Sequence, residues 1–269
     1  MRKWRVLVVC PVYTSVPARA YSSHLGLFHR MGRDAGIDLG LHVPHRTQMT
    51  KARNMAVDYA LGGGGAHQPF DYVLWFDDDM LVPADAFHRL VAHNVDIVGA
   101  LCFKRLPPYT PLLLRESDGG GAEPGVTWWF DYPRGRLVDV LGTGFGCILT
   151  RTDVFRRMER PWFVEKEGGA GSDIYFCRRA REAGYAVHVD TSMEVRHLGA
   201  EEEVGQACRD QWVAAHPEQA ERLSCGPREQ PADRAAGLER AQRADPFAST
   251  TAVARRAPAG TPTGADCEK

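Results

Sequence analysis

Three consecutive carboxylates, Asp77, Asp78 and Asp79, follow directly on the apolar run Tyr72–Phe76. In a D-x-D spacing, one turn can aim Asp77 and Asp79 at a single ion. Hard divalent cations such as Mn²⁺ and Mg²⁺ take oxygen ligands and often share them with a substrate diphosphate. The ion then neutralises charge growing on a departing diphosphate. Taken alone, a short acidic run is as readily a solvated turn. His197, in the run Glu194-Val195-Arg196-His197-Leu198-Gly199, adds an imidazole, which is an accepted Mn²⁺ ligand. A lone histidine is more often structural.

Three other groups of residues could act with these. Arg53, in Lys51-Ala52-Arg53-Asn54 at an expected helix start, could donate to phosphate or nucleotide. Asp173 follows Ser172 at another helix start, where a carboxylate either stabilises the N-terminus or takes a proton from a hydroxyl. Gly142, Gly144 and Gly146 alternate in Leu141-Gly142-Thr143-Gly144-Phe145-Gly146-Cys147. Such a run allows close approach of a ligand, and equally a bulge or tight packing. It is no dinucleotide fingerprint, and Gly62 to Gly65 lack the Gly-Lys-Ser/Thr of a phosphate loop. A haloacid dehalogenase-type phosphatase would want Thr or Val at position 81, where this chain has Leu81.

The elements that must position these residues alternate. Residues 6–10, 37–43, 72–76 and 96–101 read as strands. Helices are predicted over 18–34, with Leu25, Phe28 and Met31 facing inward, over 51–61 with Thr50 as its cap, and over 84–93. This alternation predicts an α/β fold, a doubly wound, mostly parallel sheet with helices on both faces. Ligands of such sheets gather at the carboxyl ends of strands, where the three aspartates stand. Residues 102–225 look different. Segments 126–130, 137–141, 145–150 and 186–189 are β-like, and helices are expected from Ser172 to before Gly184 and over 203–215. These suggest a smaller β-hairpin region within a domain spanning 1–225. Residues 226–269, rich in Pro, Ala and Arg, read as a disordered tail. Gly119 to Gly121 read as a flexible loop.

With 269 residues, 44% of them hydrophobic, the chain can bury a core. Its formal net charge of -1 argues against a generally nucleic-acid-coating protein. The 7 cysteines form no C-x-x-C pair, so reduced thiols are the simpler reading. No run has the length of a signal peptide's core or of a membrane span, and a cytoplasmic location is expected.

Taken in order, these segments resemble a GT-A glycosyltransferase close to the family 2 group. The resemblance covers roughly residues 5–215. It is carried by Cys10-Pro11-Val12-Tyr13, Ala52-Arg53-Asn54, Phe76-Asp77-Asp78-Asp79-Met80, Gly142 to Gly146, Ser172-Asp173 with Phe176-Cys177 and Ala183-Gly184-Tyr185, and Val195 to Gly199. It implies that Asp77, Asp79 and His197 hold Mn²⁺ or Mg²⁺, and that Pro11, Tyr13, Arg53, Asp77 and Asp78 face a nucleotide sugar, for which a UDP-sugar is expected. It implies further that residues 1–101 form the nucleotide-binding half and 102–225 the acceptor side, that Gly144 and Phe145 lie near the transferred sugar or acceptor, and that Asp173 is the base. Such families usually have Glu where this chain has Ser172, which bears on the tuning of that base.

The compact size and motif order are similar to those of phage and viral glycosyltransferases. The first acceptor suggested is therefore a 5-hydroxymethylpyrimidine such as hydroxymethylcytosine in DNA, with Lys104-Arg105, Arg156-Arg157 and Arg178-Arg179 as a possible basic strip. The electrostatic support for this is weak. A saccharide or lipid-linked saccharide is the alternative acceptor, and Trp128 and Trp129 could stack on a sugar. Two other classes remain: a nucleotidyltransferase, which would usually carry a glycine-rich loop where this chain has Tyr13-Thr14-Ser15-Val16-Pro17, and an inactive nucleotide-sugar-binding module.

Overall fold

The computed structural model describes residues 3–117, 125–165, 171–199 and 203–225. The chain divides into two units, Met1–Arg228 and Glu229–Lys269, and every described residue belongs to the first. The tail expected at 226–269 and the loop at 119–121 lie outside the described residues.

The first half contains β1 (Trp4–Val9), α1 (Ala18–Gly32), β2 (Ile37–His42), α2 (Met49–Ala60), β3 (Tyr72–Phe76), β4 (Met80–Leu81), α3 (Ala86–Ala92) and β5 (Ile97–Leu101). It continues with β6 (Leu113–Glu116), β7 (Val126–Trp128), β8 (Leu137–Val140), β9 (Gly142–Thr143), β10 (Cys147–Arg151) and α4 (Thr152–Arg157). The last elements are α5 (Ser172–Glu182), β11 (Val187–Glu194), β12 (Arg196–Leu198), β13 (Glu203–Val204), α6 (Gln206–Ala215) and α7 (Pro217–Cys225).

The central sheet has 7 strands in the order β2-β1-β3-β10-β5-β11-β8. β10 runs antiparallel to both β3 and β5, and β8 runs antiparallel to β11; the other pairs are parallel. The mostly parallel sheet predicted from the alternation is therefore present. Two small sheets accompany it, β13-β12-β4 and β7-β6-β9.

Strands β3 and β5, and β1 from Val6 onward, are continuous apolar runs because both of their faces are covered. Leu7, Val9, Val73, Trp75, Ile97 and Ile148 join a core closed by Ala56 and Val57 of α2, Phe155 of α4 and Phe176 of α5. Their alternating neighbours Val6, Val8, Leu74, Phe76, Val98 and Leu149 join a second core with Leu27 and Met31 of α1 and Phe87 of α3. The period of two in a strand is what divides one sequence run between two cores.

Local detail departs from expectation where tertiary pairing outweighs local signals. Helix α1 buries Ala20, His24, Leu27 and Met31, while Leu25 is 47% exposed. Helix α2 is preceded by Gln48 and α5 by Gly171, so Thr50 and Ser172 lie inside the helices they were expected to cap. Residues 203–204 pair with β12 instead of opening a helix.

Asn54 has a structural task. Its amide nitrogen donates to Thr50 O (2.9 Å) and Phe163 O (2.8 Å), and its oxygen accepts from Trp162 N (3.1 Å) and Phe163 N (3.3 Å). One side chain thus ties α2 to the aromatic segment that follows α4. Asn54→Ala should cost about 2–4 kcal/mol, as several partly buried partners lose their bonds together. Chemical denaturation measures this, and a loss under about 1 kcal/mol would mean that water replaces the amide.

Candidate active site

The three aspartates stand at the carboxyl end of β3, as the sequence pattern requires. The chain after them is held from two sides. From α1, His24 Nε2 lies 2.9 Å from Met80 O and Ser23 Oγ donates to Val82 O over 2.7 Å. His24 is 4% exposed, and burial holds its pKa below the usual histidine value. From the other side, β4 pairs antiparallel with β12 in the register Arg196↔Leu81 and His197↔Met80. Leu198 N donates to Asp79 O over 2.9 Å. Glu203 forms ion pairs with both Arg19 of α1 and Arg196, which fastens the small sheet to the helix. This register is what carries an imidazole from far along the chain to the aspartates.

His197 Nε2 lies 3.7 Å from Asp79 Oδ1, and both side chains are 13% exposed. The other ring nitrogen, Nδ1, is 2.8 Å from Phe103 O. A carbonyl can only accept, so Nδ1 carries a proton, and Nε2 is the nitrogen that faces Asp79. Metal-binding histidines are commonly oriented in this way. Asp79 Oδ1 is buried and has no hydrogen-bond partner. Its other oxygen, Oδ2, is bound by Arg105.

A ring nitrogen facing a buried carboxylate oxygen that has no hydrogen-bond partner is an arrangement that a cation between them would complete. A hard divalent cation suits that donor set. Among the described residues, no three His, Cys, Asp or Glu side chains already converge as a complete cage. The remaining coordination positions would fall to Asp77, water and substrate oxygens.

Asp77 is differently engaged. Its Oδ1 is 3.8 Å from Arg53 Nη2, and its side chain is 30% exposed. Removal from water pushes its pKa up to about 6; Arg53 opposes this, Asp79 adds to it, His197 opposes it and Asp173 adds to it. The charges of both Asp79 and Asp173 act on the Asp77 carboxyl. Arg53 is 5% exposed and donates from Nη1 to Ser172 Oγ over 2.8 Å. Its guanidinium carbon lies 4.8 Å from the ring centroid of Phe145 and 5.8 Å from that of Phe163. Arg53 therefore sits beneath the aspartates and orients Asp77.

Asp78 points toward the end of β1. It accepts a hydrogen bond from the Tyr13 backbone N–H, while burial and Asp79 raise its pKa. Pro11 is buried, whereas the Tyr13 side chain is 67% exposed at the rim. Asp173 is half-buried in the first turn of α5, and its Oδ1 accepts from Ile174 N over 2.9 Å.

The glycine run serves packing. A Cβ on Gly144 would lie 2.7 Å from Leu112 Cδ1, and one on Gly146 would lie 2.8 Å from Met80 Cε and 2.9 Å from Cys102 Sγ. Phe145 is 2% exposed in a cluster with Trp75, Phe163 and Phe176. Its ring is a platform for Arg53, and no face of it is open to a sugar. This corrects the expectation for Phe145: an apolar ring next to a glycine run is drawn into the core it helps to fill.

The three basic pairs do not form one strip. Lys104 and Arg105 follow the carboxyl end of β5, near the aspartates. Arg156 and Arg157 lie on α4, which follows β10; because Arg151 pairs with Tyr72, that helix starts at the amino end of β3. Arg178 and Arg179 each lie within ion-pair range of Glu182, at 3.6 and 3.7 Å. Trp128 carries Lys104 Nζ at 4.5 Å from its ring centroid, and the Arg115 guanidinium lies 5.9 Å from that of Trp129.

Two concavities lie elsewhere: about 300 Å³ among Trp4, Tyr72, Arg151 and Arg156, and about 390 Å³ among His29, Arg33 and His88. The cysteines at 10, 102, 147, 177 and 208 are free thiols, and burial pushes Cys147 and Cys177 up to about 12. No described helix is long and apolar enough to cross a membrane.

No family model and no curated protein matches the chain. Three solved structures overlap it in part. A protein from STIV is 16% identical with a TM-score of 0.43, covering 75% of this chain and 87% of its own. A nucleoside-diphosphate-sugar pyrophosphorylase from Vibrio cholerae is 10% identical with a TM-score of 0.38, covering 77% and 99%. A glycosyltransferase involved in glycosylation of the PBCV-1 major capsid is 12% identical with a TM-score of 0.28, covering 78% and 98%. At such values none of the three bears on what this chain does.

Proposed function

We propose that this protein is a cation-dependent glycosyltransferase that moves a sugar from a nucleoside diphosphate sugar to an acceptor hydroxyl. The observation that carries the reading is the buried Asp79 Oδ1, without a hydrogen-bond partner, facing His197 Nε2 at the carboxyl end of β3. Asp79 and His197, with Asp77, would hold Mn²⁺ or Mg²⁺. The cation supplies neutralisation of the charge that grows on the diphosphate as it leaves.

The protein's own groups have separate tasks. Arg53 fixes the Asp77 carboxylate from below, and the Phe145 ring fixes Arg53. Tyr13, exposed beside Asp78, offers a face on which a nucleobase can stack. Asp173 accepts the proton of the acceptor hydroxyl. The new bond joins the acceptor oxygen to the anomeric carbon, the bond from that carbon to the diphosphate oxygen breaks, and the nucleoside diphosphate departs with the electron pair.

Asp173→Asn should bind donor normally and transfer sugar about 10²–10⁴ times more slowly. Calorimetry with a UDP-sugar and single-turnover transfer separate the two quantities. Transfer that persists in this variant removes Asp173 as the base.

A hydroxymethylpyrimidine in DNA was the first acceptor suggested by the sequence. The separation of the three basic pairs leaves no continuous strip for a duplex among the described residues, so a saccharide hydroxyl is the favoured acceptor. An acceptor screen with oligosaccharides and hydroxymethylated DNA, scored by release of nucleoside diphosphate, decides between them. A protein that binds the nucleotide sugar with Mn²⁺ yet releases no nucleoside diphosphate with any acceptor would instead be a binding module.

A further inference from the structure

Arg105 sits on a short closed loop that leaves the carboxyl end of β5. Phe103 and Pro111 form an antiparallel bridge, Lys104 N donates to Thr110 O over 2.9 Å, and Tyr109 N donates to Leu106 O over 2.9 Å. Two groups of this segment act on the aspartates. The Phe103 carbonyl sets the tautomer of His197, and the Arg105 guanidinium binds Asp79 Oδ2. Lys104 is directed away, onto the ring of Trp128.

The Arg105 side chain is 55% exposed although its partner Asp79 is 13% exposed. A guanidinium has five donors in a planar fork, and the bond to Asp79 leaves the others toward solvent. Its charge also reaches Asp78. Held in this place, Arg105 occupies one of the two Asp79 oxygens and offsets the negative charge that would draw a cation in. The same fork matches the oxygens of a diphosphate, with which it can form paired charge-assisted bonds.

We propose that Arg105 is a counterion that changes partner, closing on Asp79 in the empty site and passing to the diphosphate when the donor enters, which leaves its place at Asp79 open to the cation. The inference rests on reading the site as one for a nucleoside diphosphate sugar and a divalent cation. The exchange keeps a positive charge beside Asp79, from arginine before loading and from the cation afterwards. It also makes Arg105 a positioning residue whose removal has effects of opposite sign on the two ligands.

The test measures binding by the full chain. Mn²⁺ alone is titrated by calorimetry and by loss of the free-ion electron paramagnetic resonance signal, and UDP is titrated separately in EDTA. Arg105→Gln should bind Mn²⁺ about tenfold more tightly than wild type and UDP in EDTA about tenfold more weakly. Arg105→Lys, which keeps the charge and loses the fork, should bind Mn²⁺ as wild type does and UDP with intermediate affinity. Because the side chain is half exposed, the thermal midpoint should stay within a few degrees of wild type.

A glutamine variant whose Mn²⁺ affinity is unchanged or weaker overturns the proposal. Unchanged UDP affinity in EDTA does so too, as does a wild type that binds UDP only when the cation is present. Wild-type protein that binds neither Mn²⁺ nor UDP overturns the sugar-nucleotide reading itself, and the proposal with it.

Discussion

Asp79→Asn is expected to reduce sugar transfer by about 10²–10³ or more, and to do so without loss of stability. The two halves of this expectation have one cause. In the folded chain Asp79 keeps one buried oxygen without a donor, beside the like charges of Asp77 and Asp78. That arrangement is costly unless a cation completes it. Asparagine has nearly the same shape, removes the net charge, and can still accept from Arg105. The thermal midpoint without metal should therefore stay level or rise, while Mn²⁺ ceases to shift it. In wild type, Mn²⁺ should raise the midpoint in proportion to its occupancy. A variant that transfers sugar within a few-fold of wild type would remove the cation from the mechanism. A variant that melts many degrees lower would recast Asp79 as a structural partner of Arg105.

How much of this could be read from the sequence differs from residue to residue. The placement of Asp77 to Asp79 is legible because an apolar run of 5 residues, too short for a helix and set in a β-α alternation, reads as a strand buried on both faces, and its end is fixed by the first charge. The two cores follow from the same period. The approach of His197 to Asp79 depends on pairing between β4 and β12, of 2 and 3 residues. Strands so short leave no periodic signal, and order among motifs was the only clue. Arg105 was visible only as half of a basic pair. Its task comes from a loop whose closing bonds are all between backbone atoms, which side-chain types do not announce. The resemblance sets Phe145 near the ligand, yet the glycines that flank it admit Leu112, Met80 and Cys102, and its ring is buried. Ser172 was read as a loss that bears on Asp173. Its hydroxyl in fact accepts from Arg53, a contact that joins residues 119 apart in sequence.

Arg53 carries the largest expected effect on stability. It is a buried cation with three kinds of partner: the Ser172 hydroxyl, the Asp77 carboxylate and the rings of Phe145 and Phe163. Arg53→Ala removes all of them, opens a cavity beneath the site, and leaves Asp77 without its nearest counter-charge. Breaking a buried pair in this way costs about 3–5 kcal/mol, or roughly 6–20 °C in the thermal midpoint of a domain this size. Arg53→Met refills the volume against the two rings but still strands Asp77, so it should recover part of the loss. Asp77 would then bind its proton more readily, and sugar transfer should stay low in both variants. The added change Asp77→Asn should restore stability to Arg53→Met and leave transfer absent. That double variant separates the two tasks of Arg53, because packing is regained with methionine while the orientation of the carboxylate is not. If Asp77→Asn gives no recovery in the methionine background, the 3.8 Å pair between Arg53 and Asp77 contributes little. The arginine would then be held by Ser172 and the aromatic platform alone, and Asp77 would be free to turn wholly toward the cation.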